Sequence, residues 1–471
     1  MKTSVEQEIE REAVLGTLPV LPKERLYGFV DALLILSGYC IATWSYTQGA
    51  YLATLVNFKQ LIIGAFFGAL LMLAIYQLPV ILSSRFGIDI WIWLRAALGA
   101  KGVVLVSLVI IAVNYPWYAV SGDMFASSMN TLADISHLPQ IPHALLAVLC
   151  VVIGTALAYK GVGAITATTR ILVPALLLVG VFVLIAGFTS VPAEVIWNYR
   201  PAGYTEGNVI PYIISIEANF AFVITLIGGM AEIPRLTKKE SSALWAGVFG
   251  QGLAGSFFVV LGAVMTIAME YKTGNAISDP TIMLATLTIP AMGFCSLLLV
   301  AFANIGTQAV GAYLYGVMLK SSFKKISYRS IIILLAVYVS ALCVWGKITE
   351  YFGSFLTIGA CVYAPLSAVL FADFFFVRRQ RFSLRSAYGL DGHTAYKYTC
   401  GFNIVGLLCI VFGFCMSLAV YDPIKCEVHI PALFYFTPTG FSFLSTTALY
   451  TLLCKIPPIK SYMLRDREEL S

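Results

Sequence analysis

Long apolar runs, each closed by a short cluster of polar or charged residues, set the pattern of this chain. Ile62–Ala74, Gly102–Val113 and Ile171–Gly187 carry scarcely a polar side chain. Such runs approach or reach the ~20 residues that a helix needs to cross a bilayer. In lipid the backbone has to satisfy its own hydrogen bonds, so runs of this length predict helices and not the alternating ~10-residue strands of a barrel. Twelve apolar segments can be marked, near 28–56, 60–82, 102–128, 143–159, 166–190, 209–233, 243–269, 279–318, 330–346, 351–376, 399–420 and 432–454. The eighth is too long for one span. A loop or interfacial helix is expected before its membrane part, near 292–318.

Composition agrees with that pattern. Of 471 residues, 59% are hydrophobic and 11% charged, against about 25% charged in an average soluble domain. The expectation is an integral membrane protein with little soluble mass. A soluble enzyme and a nucleic-acid binder are excluded, despite the net charge of +6. Twelve spans place both termini on one side. With the N-terminus in the cytoplasm, 25 of the 30 lysines and arginines fall inside, leaving Lys59, Arg200, Lys272, Lys347 and Lys425 outside. Cytoplasmic loops carry that excess of basic residues, so the chain reads as a multi-pass protein of the cell membrane with both termini cytoplasmic. The basic tracts also favour anionic lipid at the inner leaflet. The polar first 25 residues predict no signal peptide. The ten cysteines lie mostly within apolar runs, without CxxC pairs or Cys/His clusters, so neither a disulfide scaffold nor a metal centre is expected.

Twelve spans with almost no soluble domain suit a secondary transporter. A primary pump needs a nucleotide domain, and no GxxxxGK[ST] loop occurs. Transporters often carry inverted repeats whose first helices break at the substrate site. Span 1 offers Ser37-Gly38 and then the polar cluster Thr43 to Gly49, in which Trp44 and Gln48 are candidates for substrate contact; span 6 offers Gly228-Gly229. The alternative reading is that these glycines only let helices approach closely. Span 3 carries Asn114-Tyr115-Pro116-Trp117-Tyr118 and, a turn later, Ser121 and Asp123. Span 8 carries Asn304 and Gln308, spaced i, i+4 on one helix face. Carboxamides offer both donor and acceptor, and an aromatic such as Trp117 offers a flat face to a planar ring. Interhelical hydrogen bonding is the bland alternative for either carboxamide. Carboxylates within apolar runs are costly, which makes Glu217 in span 6 and Asp123 in span 3 candidates for proton coupling or for a cationic substrate group.

The end of span 10 reads Pro365-Leu366, then Ala372-Asp373-Phe374-Phe375-Phe376-Val377-Arg378-Arg379, then Arg381-Phe382-Ser383-Leu384, with Tyr388, Gly392, Tyr396 and Gly401-Phe402-Asn403 further on. This resembles the signature "PL…DYFLVRR…SL…Y…G…Y…N" of the nucleobase–cation symporter-1 family, transporters of cytosine, uracil, purines, allantoin, hydantoins and vitamin precursors. Phe374 stands where Tyr is usual. The resemblance implies an all-α LeuT-like fold: a cytoplasmic segment 1–27, inverted five-helix repeats over 28–190 and 209–376, spans 11 and 12 over 399–454, and a tail 455–471. It also implies that Trp117 stacks on the substrate, that Asn304 and Gln308 read the ring edge, and that Phe222 or Val223 supplies a second stacking group. Ser121 stands where some members use glutamine. Glu232 and Arg235 match the family's acidic residue followed three positions later by a basic one. Sodium-coupled members ligate the ion with two hydroxyls just before the first span 8 asparagine. Phe302 and Ala303 stand here, so backbone carbonyls near Gly38 and Ile41 would make a poor sodium site alone.

The expectation is a symporter that imports a planar nitrogen heterocycle by alternating access, with a proton favoured as the coupling cation and sodium the alternative. No cofactor and no nucleic-acid partner is expected, and a monomer is. A proton-coupled amino-acid or amine permease on the same fold, with Glu217 or Asp123 holding an ammonium group, is the alternative function. A receptor would need an appended signalling domain, and no nucleophile–base pair supports an enzyme.

Overall fold

The computed structural model describes residues 18–41, 43–226, 232–275, 280–287, 290–389, 395–425 and 427–464. Helices lie over every apolar segment. The first segment holds α1 (Phe29–Cys40) and α2 (Thr43–Ala53), followed by α3 (Phe58–Phe86). Then come α4 (Ala100–Asn114) and α5 (Trp117–Ile135), α6 (His143–Tyr159), α7 (Val162–Ser190) and α8 (Ile210–Ile224). A π-helical turn, Val248–Ala254, joins α9 (Glu240–Gly247) to α10 (Gly255–Thr273). The short α11 (Pro280–Leu287) precedes α12 (Pro290–Ser322), matching the excess length of the eighth segment. The series ends with α13 (Tyr328–Trp345), α14 (Phe352–Ala372), α15 (Ile404–Val420) and α16 (Pro438–Leu453). Among the described residues, six helices or joined helices are long and apolar enough to cross a membrane, Ala100–Ile135 and Glu240–Thr273 among them, and five shorter apolar helices accompany them.

Local sequence sets the ends. The Asn57 and Ser327 side chains cap α3 and α13 by accepting from Gln60 N and Ser330 N, filling donors that a helix start leaves open. Gly87 and Gly346 close those helices in the left-handed conformation.

The break in the first segment lies later than the sequence suggested. Helix α1 runs through Ser37 and Gly38 to Cys40. Gly38 instead serves packing: a Cβ there would sit 2.8 Å from Val173 Cγ2 of α7. Gly228 and Gly229 lie outside the described residues.

Three packings position the interior. Helix α2 crosses α10, α5 packs on α6 and α12, and α3 packs on α8. A polar latch fastens the signature stretch after α14. Arg378 donates through Nε to Asp373 Oδ2 (2.8 Å), and through Nη2 to the Ala96 and Met463 carbonyls and the Tyr398 hydroxyl. The Tyr450 hydroxyl donates to the other oxygen of Asp373 at 2.8 Å. Buried charge is costly unless paired and hydrogen-bonded; here the two charges pair and each takes further hydrogen bonds from or to its neighbours.

Candidate substrate and cation sites

Helix α4 stops at Asn114, and Pro116 lies at the turn before α5 begins at Trp117. Proline cannot donate to a preceding turn, so the polypeptide steps aside and Trp117 projects from the first turn of α5. It meets two aromatics from other helices of the same core cluster. The Trp44 ring of α2 stands edge-on at 5.6 Å between centroids, and the Phe222 ring of α8 lies at 6.1 Å. All three are buried. With Asn114, Tyr118, Thr225, Leu226 and Tyr315 they enclose a cavity of only about 10 Å³. That volume holds at most one water, so a planar ring enters only if these side chains part.

Asn114 lines this cavity, whereas Gln48 and Ser121 lie one turn along the helices from its aromatics and outside its lining. Asn114 donates through Nδ2 to the Thr225 carbonyl (3.1 Å) and to the Tyr315 hydroxyl. One turn beyond Trp44, Gln48 is fully buried, and neither its amide oxygen nor its nitrogen has a hydrogen-bond partner among the described residues. One turn beyond Trp117, the buried Ser121 Oγ is likewise unpartnered. Unmet buried polar groups cost free energy, and a polar solute arriving beside them would relieve it.

The span 8 carboxamides have other partners in this arrangement. Asn304 Nδ2 donates to the Val300 carbonyl of its own helix at 3.0 Å, and Gln308 Nε2 donates to the Tyr118 carbonyl. Both are buried, and neither lines the aromatic cavity. Asn114, Tyr118, Thr225 and Tyr315 line it without having been singled out for the site. The Asn-Tyr-Pro-Trp-Tyr run pointed to the first two; nothing local marks Tyr315, which comes from α12.

Candidate cation groups fall in three places. Glu217 of α8 is buried at the start of α16, where it accepts from Thr439 N (3.2 Å to Oε1) and from the Thr439 hydroxyl. Amide donors at a helix N-terminus suit an anion. Glu217 also lines a separate cavity of about 430 Å³, together with Thr47, Tyr51, Thr349, Glu350 and Tyr421. Asp123 lies apart from it, accepting from Thr349 Oγ1 and pairing with the half-exposed His143, each at 2.7 Å. Near Gly38 and Ile41, the Cys40 carbonyl accepts from the Ser45 hydroxyl. Phe302 is 49% exposed and Ala303 carries no oxygen, so α12 turns no side-chain hydroxyl from these two positions towards the break.

Comparison with known proteins sets this geometry in a family. No curated protein matches the chain in sequence. Its fold is similar to that of Mhp1, a nucleobase-cation-symport-1 family transporter. Mhp1 in a closed conformation with bromovinylhydantoin bound superposes with a TM-score of 0.78 at 18% identity, covering 95% of each chain. The inward-facing conformation of Mhp1 gives 0.76 at 17% identity, covering 96% of this chain and 94% of that one. An outward-open Na+-coupled sialic acid symporter gives 0.67 at 11%, covering 96% and 98%. At such identities the likeness shows the fold alone. Residues 19–434 match the family described as permeases for cytosine/purines, uracil, thiamine and allantoin, so the chain belongs to that nucleobase–cation symporter family and is a membrane transporter, not an enzyme.

Proposed function

We propose that this protein imports a planar nitrogen heterocycle of the nucleobase, hydantoin, allantoin or vitamin-precursor type, by cation symport with alternating access. The observation that carries the reading is the placement of Trp117 between Trp44 and Phe222, with the unpartnered Gln48 and Ser121 one turn away. An aromatic face binds the ring of any such solute, and polar groups at its rim select the substituents. The family's permeases and the hydantoin bound to Mhp1 point to the same class. An amine permease would put an ammonium group against Glu217, but that carboxylate already accepts from Thr439 and lies in a different cavity from Trp117. The heterocycle reading is therefore preferred.

The transport cycle proposed here uses twelve spans, with inverted repeats over 28–190 and 209–376 and both termini cytoplasmic, in a monomer. The coupling cation is proposed to be a proton held at Glu217. A thermal-shift series on the purified protein tests the substrate class, using nucleobases, hydantoins, vitamin precursors and amines with and without sodium. Heterocycles should raise Tm and amines should not. Stabilisation by amines alone would overturn the reading.

A further inference from the structure

A second acidic site lies where segment 20–27 meets the loops that follow α3 and α8, the face that the topology proposed above makes cytoplasmic, and its oxygens are unusually placed. Asp89 follows α3 and caps the short helix Ile90–Trp93, its Oδ1 accepting from Trp91 N at 2.8 Å. Glu232 follows α8 and accepts through Oε2 from Arg235 Nε at 2.8 Å. The two carboxyl groups lie within hydrogen-bonding reach of each other, at 1% and 0% exposure. The remaining oxygens, Asp89 Oδ2 and Glu232 Oε1, have no donor among the described residues. Each is a buried acceptor left without a donor, which costs free energy. One hydrogen between them would satisfy both.

We propose that Asp89 and Glu232 form a proton-binding site, one proton being shared between them while the cytoplasmic mouth is closed and released when it opens. The local architecture ties the site to that mouth. Segment 20–27 straps both loops: Val20 N donates to the Gly87 carbonyl, and Leu26 N and Tyr27 N donate to the Leu236 carbonyl. Lys238 N donates back to the Tyr27 carbonyl. Parting the loops means parting the carboxyl groups, and each then meets water and ionises. The other titratable or charged groups facing the pair are Arg235, Arg95 and Tyr388 from the neighbouring loops, Tyr313 of α12 and Tyr27 of the strap. Burial, and next the Glu232 carboxylate, push the Asp89 carboxyl well above the usual carboxylate range. A group whose folded pKa is raised stabilises the folded, closed form at low pH, and that stability is lost as pH rises through the folded pKa.

The inference deepens the cation-symport reading by giving the cation a site on the inner face, but its test needs neither substrate nor sodium. The melting temperature of the full chain in sodium-free detergent, followed from about pH 5 to about pH 8, should fall with rising pH. In Asp89→Asn the carboxamide donates permanently to Glu232, so the part of that fall due to the pair should vanish. Glu232→Gln should also flatten it, and Glu217→Gln should leave the Asp89-dependent part in place. Variants that fold and keep the parent's slope would overturn the proposal. If neither variant folds, the infrared spectrum of Glu217→Gln at neutral pH decides. A protonated-carboxyl band supports the shared proton and its absence overturns it. Sodium-driven, pH-indifferent uptake alongside a slope lost in Asp89→Asn would overturn proton coupling and leave this site standing.

Discussion

Trp117 owes its place to one proline and two partners. Pro116 separates it from α4, and the edges of Trp44 and Phe222 hold its ring. Stacking of a base on an aromatic ring contributes roughly 1–3 kcal/mol. Trp117→Ala should therefore weaken heterocycle binding several-fold to over a hundred-fold, while Trp117→Phe keeps much of the affinity. Unchanged affinity in a well-folded alanine variant would remove Trp117 from the site. The span 8 carboxamides pose a sharper question, because Gln308 holds the Tyr118 carbonyl and Asn304 its own helix. If they turn to the substrate during transport, Asn304→Ala and Gln308→Ala should each lose about 1–3 kcal/mol of binding and reorder the preference among ring analogues. Identical rankings in both variants and the parent would assign them to helix packing alone. Gln48 is visible from the sequence as a member of the polar cluster Thr43 to Gly49, yet its unmet amide is a property of its neighbours. No spacing rule predicts which buried carboxamide lacks a partner.

At the scale of elements, α2 and α10 approach each other backbone to backbone. A Cβ on Gly49 would lie 1.8 Å from the Val259 carbonyl oxygen, and one on Gly262 would lie 2.3 Å from that of Tyr46. Small residues let transmembrane backbones meet, and here the contact fixes the helix that carries Trp44 and Gln48. Gly262→Val should cost at least the roughly 1–3 kcal/mol of ordinary overpacking, read as a lower Tm with impaired binding. Gly163→Ala, with nothing within 4 Å of its Cβ, should leave both unchanged. A Gly262→Val protein with parental Tm would refute that close packing. The apolar runs made the helices legible because their length reflects the bilayer and nothing else. The break of the first segment was misplaced by a few residues for a related reason: Ser37-Gly38 signals either a break or a close contact, and only Val173 on α7 decides between them. The Asp373–Arg378 latch was legible as a signature but not as a device, since its other partners, Ala96, Tyr398, Tyr450 and Met463, are scattered along the chain.

The whole molecule has to couple a solute to an ion, and the choice of ion follows from where oxygens are lacking. Sodium prefers several hard oxygen ligands, as small hard cations do. On α12, Ala303 supplies no side-chain oxygen and Phe302 is half-exposed, and at the break between α1 and α2 the Cys40 carbonyl is already engaged by Ser45. A proton needs only one suitable group. The proposal places it on Glu217, which is buried, borders the cavity of about 430 Å³ and accepts from Thr439 at the head of α16. Because it joins α8 to α16, a change in its protonation alters a contact between two helices and not merely a surface charge. Uptake into liposomes should therefore follow an imposed pH gradient and persist when choline replaces sodium. Glu217→Gln keeps an acceptor for Thr439 but cannot ionise, so it should bind the heterocycle with near-parental affinity and lose accumulation against a gradient. Asp123→Asn should retain accumulation, because Asp123 does not itself line that cavity, pairs with the half-exposed His143, and as asparagine keeps an acceptor for Thr349. Uptake that stops without sodium and ignores the pH gradient would sink the proton reading, and would require backbone oxygens near Gly38 and Ile41 to suffice for sodium after all.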